Sequence, residues 1–303
     1  AQAGNGNQAI LGAGLYAENS AMDFQGRIVN NDASNSGGGL YATASVITLA
    51  NATVGGTGTN QPNSLTSGST AYGVGLYLTG GTQAALSNTV MISNTFPMTS
   101  TGLARAGGAY VEAGSVLTLT NSRIERHVTP PGSTGRGAGL YVSDSKVVMD
   151  NSQLLTNTAS TNGGGIRLIG ASTLDMVNGS AMQNNHALNG EGGGIASSGA
   201  TTMTVSNATF QNNSANTDGG AIYLNAGTLD ATGWWDFRFN NAAGNGGAVA
   251  MVGTADADFL AGGHNSSFLA VNAANGNGGA LYVANADYVQ LYATSGQQLN
   301  LNT

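Results

Sequence analysis

The chain has no cysteine, a single lysine (Lys146), two tryptophans and four prolines, and charged residues make up only 8% of its 303 positions. Without cysteine there is no disulfide framework and no thiolate metal site, so packing and hydrogen bonds must hold the fold. Eight basic residues against fifteen acidic ones give a net charge of −7. That leaves no basic stripe to neutralise a phosphate backbone, which argues against nucleic acid as a partner. No apolar run approaches the roughly 18–20 residues that cross a bilayer, so no membrane insertion by this chain is expected. No charged-then-apolar signal segment opens the sequence either, and its start at Ala1-Gln2-Ala3 fits an exported, processed chain or an excised fragment.

Glycine, in contrast, is abundant at 48 residues. Ten times a glycine-rich step runs straight into an apolar residue, and usually a tyrosine follows. The apolar positions are Leu15, Leu40, Leu76, Ala109, Leu140, Ile166, Ile195, Ile222, Val249 and Leu281, spaced 25 to 36 residues apart. A repeat in this range identifies a solenoid in which each unit buries the apolar face of the next. The array leaves no linker, so residues 1–303 are expected to form one domain.

The copy from Gly163 to Asn189 shows the unit. Ile166-Arg167-Leu168, Leu174-Asp175-Met176 and a segment around Met182 alternate apolar with polar, each too short for a helix and each bounded by Gly, Asn, Ser or Thr. Three short strands per coil follow. Aligned copies give a second-strand row of Ile47/Leu49, Leu117/Leu119, Val147/Met149, Leu174/Met176, Met203/Val205 and Leu229/Ala231. The third-strand row is Val54, Met91, Ile124, Leu154, Met182, Phe210 and Phe237. The predicted fold is all-β, a parallel β-helix of about ten coils and, at about 4.8 Å per coil, a rod on the order of 48 Å long.

Asn51, Asn88, Asn121, Asn151, Asn178 and Asn207 recur before the third strand, where a tight corner favours a residue tolerant of left-handed dihedrals. They are expected to form an internal amide ladder, which accounts for the N-x-S/T triplets at Asn51, Asn178 and Asn207 without a glycan. A second row follows at Asn94, Asn157, Asn185, Asn213 and Asn240. The glycine steps open strands, not helices, so corner geometry explains them better than phosphate binding.

The motifs GGAI (Gly219–Ile222), GGAV (Gly246–Val249) and GGAL (Gly278–Leu281), with F-x-x-N at Phe210–Asn213 and Phe237–Asn240, are similar to repeats of the polymorphic outer-membrane proteins. More broadly, they resemble bacterial autotransporter passengers and related right-handed parallel β-helix surface proteins. The resemblance spans roughly Leu11 to Leu291. It implies a right-handed coil and an exported bacterial protein at the cell surface or outside the cell, commonly adhesive. Several copies carry Leu, Ile or Met where that family favours Phe, and no alternating translocator-barrel pattern follows Leu291.

The first-strand residues pointing outward read Tyr16, Tyr41, Tyr77, Tyr110, Tyr141, Arg167, Ala196, Tyr223, Ala250 and Tyr282, and this row holds seven of the ten tyrosines. Tyrosine suits strand surfaces and stacks on a neighbour one coil away. A solvent-facing aromatic row would also bind sugar rings or a second molecule, with Arg167 adding a cation–π contact to Tyr141. The candidate binding residues are therefore Tyr16, Tyr41, Tyr77, Tyr110, Tyr141, Arg167, Tyr223 and Tyr282.

No catalytic residue, metal site or cofactor is assigned. Asp175 and Asp230 share an outward row two coils apart, and Asp256 with Asp258 form the best acidic pair but lack a partner base. Asp144 with Lys146 and Asp236 with Arg238 read as exposed ion pairs. His127, His186 and His264 occupy unrelated coil positions, read as solvated, and cannot be assembled into a metal site. The threonines Thr48, Thr118 and Thr204 are too irregularly accompanied for a flat ice- or mineral-binding row. No polar cap shows at either end, which predicts either a piece of something longer or copies stacking head to tail. The expected function is a secreted, non-enzymatic structural surface protein, adhesin-like or filament-forming. The alternative is a carbohydrate-binding or polysaccharide-degrading β-helix, and the expected partners are other copies or cell-surface glycans and proteins.

Overall fold

The computed structural model describes residues 6–58, 61–66, 70–96, 102–261, 268–292 and 298–300. Every regular element among them is a strand, every strand pairing is parallel, and no helix is long and apolar enough to cross a membrane.

The apolar residue after each glycine step begins a first strand. These strands, from Leu15–Glu18 and Leu40–Thr43 through Ile166–Ile169 to Leu281–Ala284, stack through successive in-register pairings. Leu15 lies on Leu40, Leu40 on Leu76, and so on to Val249 on Leu281. Nine such steps make a column about 43 Å long. The second and third rows stack as the sequence predicts, Ile47/Leu49 through Leu229/Ala231 and Val54 through Phe237. These side chains are essentially without solvent exposure and form one continuous core. Phe210 and Phe237 stack at 4.5 Å between ring centres.

Two details exceed the three-strand expectation. A further short extended segment follows the third strand, as at Thr158–Ala159, His186–Ala187 and Ser214–Ala215, and builds its own narrow sheet. Second and third strands also fuse in places, as in Thr202–Gln211, and in Ile222–Arg238 the first joins them.

The corners account for the recurring small and polar residues. The first glycine of each step holds a positive φ, +70° at Gly163 for example, and where the fourth copy lacks that glycine Ala106 takes φ 58°. Asn51, Asn88, Asn121, Asn151, Asn178 and Asn207 all have φ between 46° and 55°, as the tight corner requires. Their ladder is on the outside, however, not internal. Asn51, Asn88, Asn121, Asn151 and Asn178 are exposed, with surface bonds such as Asn151 Nδ2 to Asn121 Oδ1 at 2.7 Å. A residue turning a convex corner in the left-handed region points its side chain away from the core.

The internal ladder is the second asparagine row, extended at both ends. Asn31, Asn63, Asn94, Asn157, Asn185, Asn213, Asn240 and Asn272 are all buried. Except at Asn94, each amide from Asn63 to Asn240 donates to the Oδ1 one coil on, as from Asn157 to Asn185 and from Asn185 to Asn213, both 3.0 Å. It donates its second hydrogen to a backbone carbonyl, as from Asn213 to Met182 at 2.9 Å. Between Asn94 and Asn157 the rung is His127, fully buried, which corrects the expectation that it is solvated. Asn94 Nδ2 lies 3.2 Å from its Nε2, and its Nδ1 lies 3.1 Å from Asn157 Oδ1. Because an amide donates on one side and a carbonyl accepts on the other, the ring is the neutral Nδ1–H tautomer. His186 is partly buried, and His264 lies outside the described residues. Serine and threonine hydroxyls form parallel ladders at other corners, as where Ser122 N donates to Ser152 Oγ and Ser152 N to Ser180 Oγ.

Candidate functional site

The outward tyrosine row forms as a row but is not a uniform solvent-facing platform. Strand alternation points Tyr16, Tyr41, Tyr77, Tyr110 and Tyr141 to one face, and the in-register pairing places each ring on the next. Centre-to-centre distances are 5.5, 5.1, 5.0 and 5.1 Å, with interplanar angles of 4° to 13°. Within this stack the ring faces cover one another. Exposure falls along it, from 51% at Tyr16 to 4% at Tyr110 and 1% at Tyr141. Tyr110, Tyr141 and Arg167, at 8%, are therefore buried, a correction to the expectation of a solvent-facing row.

The cover comes from residues just before the glycine steps, which run along the neighbouring corner. Ser36 pairs with Tyr72, Tyr72 with Arg105, and Arg105 with Arg136, one coil apart each time. Tyr72 packs on Tyr110 at 5.3 Å, and the Arg105 guanidinium lies 5.4 Å from the Tyr72 ring centre and 4.7 Å from that of Tyr141. Arg105, not Arg167, thus makes the cation–π contact to Tyr141. Arg167 instead reaches along the column, and its Nη2 donates to Ser198 Oγ at 2.7 Å. Arg105 and Arg136 escaped the sequence reading because they stand outside the strand motif. Aligning the column that ends each pre-glycine loop, Tyr72, Arg105, Arg136, Asn162, Glu191, Asp218, would have exposed them.

The electrostatics follow from that packing. Burial, then the Glu112 carboxylate that accepts from its hydroxyl, pushes the Tyr77 phenol far above its ordinary range. Tyr110 is pushed up to about 12, chiefly by burial and by Glu112, with Arg105 opposing. Burial lowers Arg167, and Arg136 adds to that. These phenols stay neutral donors at physiological pH.

Toward the other end the stack opens. Tyr223 sits between Ala196 and Ala250, and Tyr282 lies next to Ala250; both are partly exposed and neither ring stacks on another among the described residues.

The carboxylates take a different arrangement from the one predicted. Lys146 pairs with Asp175 on the next coil at 2.7 Å, not with Asp144, whose Oδ1 accepts from the Ala171 N–H. Asp236 and Arg238 do pair, but the aspartate is buried and not exposed as expected. Asp175 and Asp230 are two coils apart as expected, separated by Thr204. Asp230 and Asp258, in contrast, are direct neighbours, and burial, then the charge of Asp258, raises the Asp230 carboxyl. Among the described residues no three His, Asp or Glu side chains gather closely enough to hold a metal ion.

Comparison with curated proteins and with solved structures finds no match. A family model described as "Right handed beta helix region" matches residues 105–288, more than half of the chain. The chain belongs to that right-handed β-helix family.

Proposed function

We propose that this chain is a secreted, non-enzymatic rod, displayed at a bacterial surface or assembled outside the cell, whose work is adhesion or end-to-end assembly. The relationship to autotransporter passengers and polymorphic outer-membrane proteins is part of this proposal. What supports it most is how the repeated polar and aromatic side chains are used. The buried amide row, the hydroxyl rows and the five-ring tyrosine stack all bond coil to coil along the column. This is investment in an extended, self-consistent shape. At the two ends of the described column Ile10 (70% exposed) and Leu291 (52%) are apolar and uncovered, surfaces suited to a further coil of the same chain or of a second copy.

Two measurements test this. Negative-stain electron microscopy of the purified chain should show rods lengthening with concentration, whereas particles fixed at one column length would remove self-assembly. Incubation with neutral and acidic polysaccharides should release no new reducing or unsaturated ends, and their release would overturn the non-enzymatic reading.

A second reading, carbohydrate binding by the tyrosine row, is supported by Tyr223 and Tyr282, whose alanine neighbours leave ring faces uncovered by other rings. Sugar stacking needs a free aromatic face. On this reading Tyr223→Ala should abolish glycan-array binding, and Tyr77→Ala should not.

A further inference from the structure

Three of the seven arginines of this acidic chain, Arg105, Arg136 and Arg167, converge on consecutive coils beside the buried end of the tyrosine stack. Arg105 and Arg136 are direct partners across the coil step, and a methyl group at Gly137, the residue after Arg136, would stand 3.0 Å from the Arg167 β-carbon. In all three the Nε is buried without a hydrogen-bond partner, and Arg167 as a whole is 92% removed from solvent. No carboxylate among the described residues stands at ion-pair distance from any of them, although Arg123 and Arg238 each have one. Glu191, the nearest acidic influence on Arg167, also keeps a buried Oε2 unpartnered.

A guanidinium stays charged at any physiological pH, and three of them without a carboxylate partner carry a charge that an anion meeting their remaining N–H groups would neutralise. Its planar fork matches the oxygens of carboxylate and sulfate. Arg105 and Arg136 each keep part of their surface exposed. Tyr72, Tyr110 and Tyr141 supply aromatic walls beside them.

We propose that this arginine cluster is an oxyanion-binding site, with Arg136 as the central ligand and Arg105 and Arg167 flanking it, for a carboxylate or sulfate group carried by a small molecule or a slender chain. The site stands whether or not the rod self-assembles. Three local positive charges outnumber the neighbouring carboxylates Glu112 and Glu191 and draw an anion even though the whole molecule is negative.

The test is thermal unfolding of the full chain in low-salt buffer, titrated with sodium sulfate, sodium acetate or sodium glucuronate against sodium chloride at matched ionic strength. At least one oxyanion should raise the unfolding temperature along a saturating curve that chloride does not reproduce. A response to sulfate alone marks a sulfate site, to acetate and glucuronate alike a carboxylate site, and to glucuronate alone an acidic sugar. The double variant Arg105→Gln/Arg136→Gln should weaken the apparent affinity at least tenfold, while Arg123→Gln, whose arginine already has a carboxylate partner, leaves it unchanged. Should the double variant lose its β-sheet circular dichroism, Arg136→Lys decides, because it keeps the charge and removes the fork, and it too should bind at least tenfold more weakly. Equal shifts with chloride, or undiminished affinity in the folded variant, would overturn the proposal.

Discussion

His127 occupies a position in the buried amide ladder that asparagine fills on every other described coil, and it makes the column sensitive to acid. Burial lowers its pKa to about 4 from an ordinary 6.5. Between those two values the unfolded chain binds a proton that the folded chain refuses, so stability is complete above pH 6.5 and falls as the pH drops toward 4. The shift corresponds to a loss on the order of 3 kcal/mol. His127→Asn, which restores the repeated amide, should flatten the slope of the denaturation midpoint between pH 7 and 4.5, and an unchanged slope would place the sensitivity elsewhere. The two asparagine rows separate on the same scale. Asn213 donates to Asn240 and Met182 and accepts from Asn185, all buried, so Asn213→Ala should cost roughly 2–4 kcal/mol in chemical unfolding. Asn151 is exposed with φ 46°, so Asn151→Gly should change stability by no more than about 0.5 kcal/mol. Sequence spacing found both rows but could not say which faced inward, because asparagine serves equally for a left-handed corner and for a buried amide bond.

At the scale of the strand and its corners, most of the fold was legible. Apolar residues at period two are readable wherever a strand alternates, which is why Ile47/Leu49 and Leu174/Met176 fell into register without coordinates. The first turn of the glycine step is a backbone requirement, and Ala106 at φ 58° marks the one copy that departs from it. Ala106→Gly should therefore stabilise the protein by up to about 1 kcal/mol. Gly139→Ala should destabilise it, because a methyl group there would stand 2.7 Å from the Gly165 carbonyl oxygen of the next coil. Thermal unfolding of the two variants reads both signs. The burial of Tyr110 and Tyr141 was not legible. It depends on how pre-glycine loops of unequal length bring Tyr72 and Arg105 over the row, and loop length carries no period. Arg105 and Arg136 went unseen because they stand just before the glycine step, outside the strand motif in which Arg167 was found.

The whole molecule is a column whose interior repeats and whose surface does not. Along one outward line the residues change from Thr48, Ala85 and Thr118 through Val148 and Asp175 to Asp230 and Asp258, while the core beneath stays apolar throughout. A fold built this way fixes architecture in every coil and lets the surface change from coil to coil. The absence of cysteine makes the column directly measurable, since paired cysteines can be introduced for spin labels without background. Thr48 and Thr204 lie on the same outward line, five coil steps apart, and Thr48 and Gln290 lie eight steps apart. Pulsed electron spin resonance on Thr48→Cys/Thr204→Cys and Thr48→Cys/Gln290→Cys should give narrow distances near 24 and 38 Å, in proportion to the coil count at about 4.8 Å per step. Distances that do not grow in that proportion would contradict the stacking of these repeats into one parallel column.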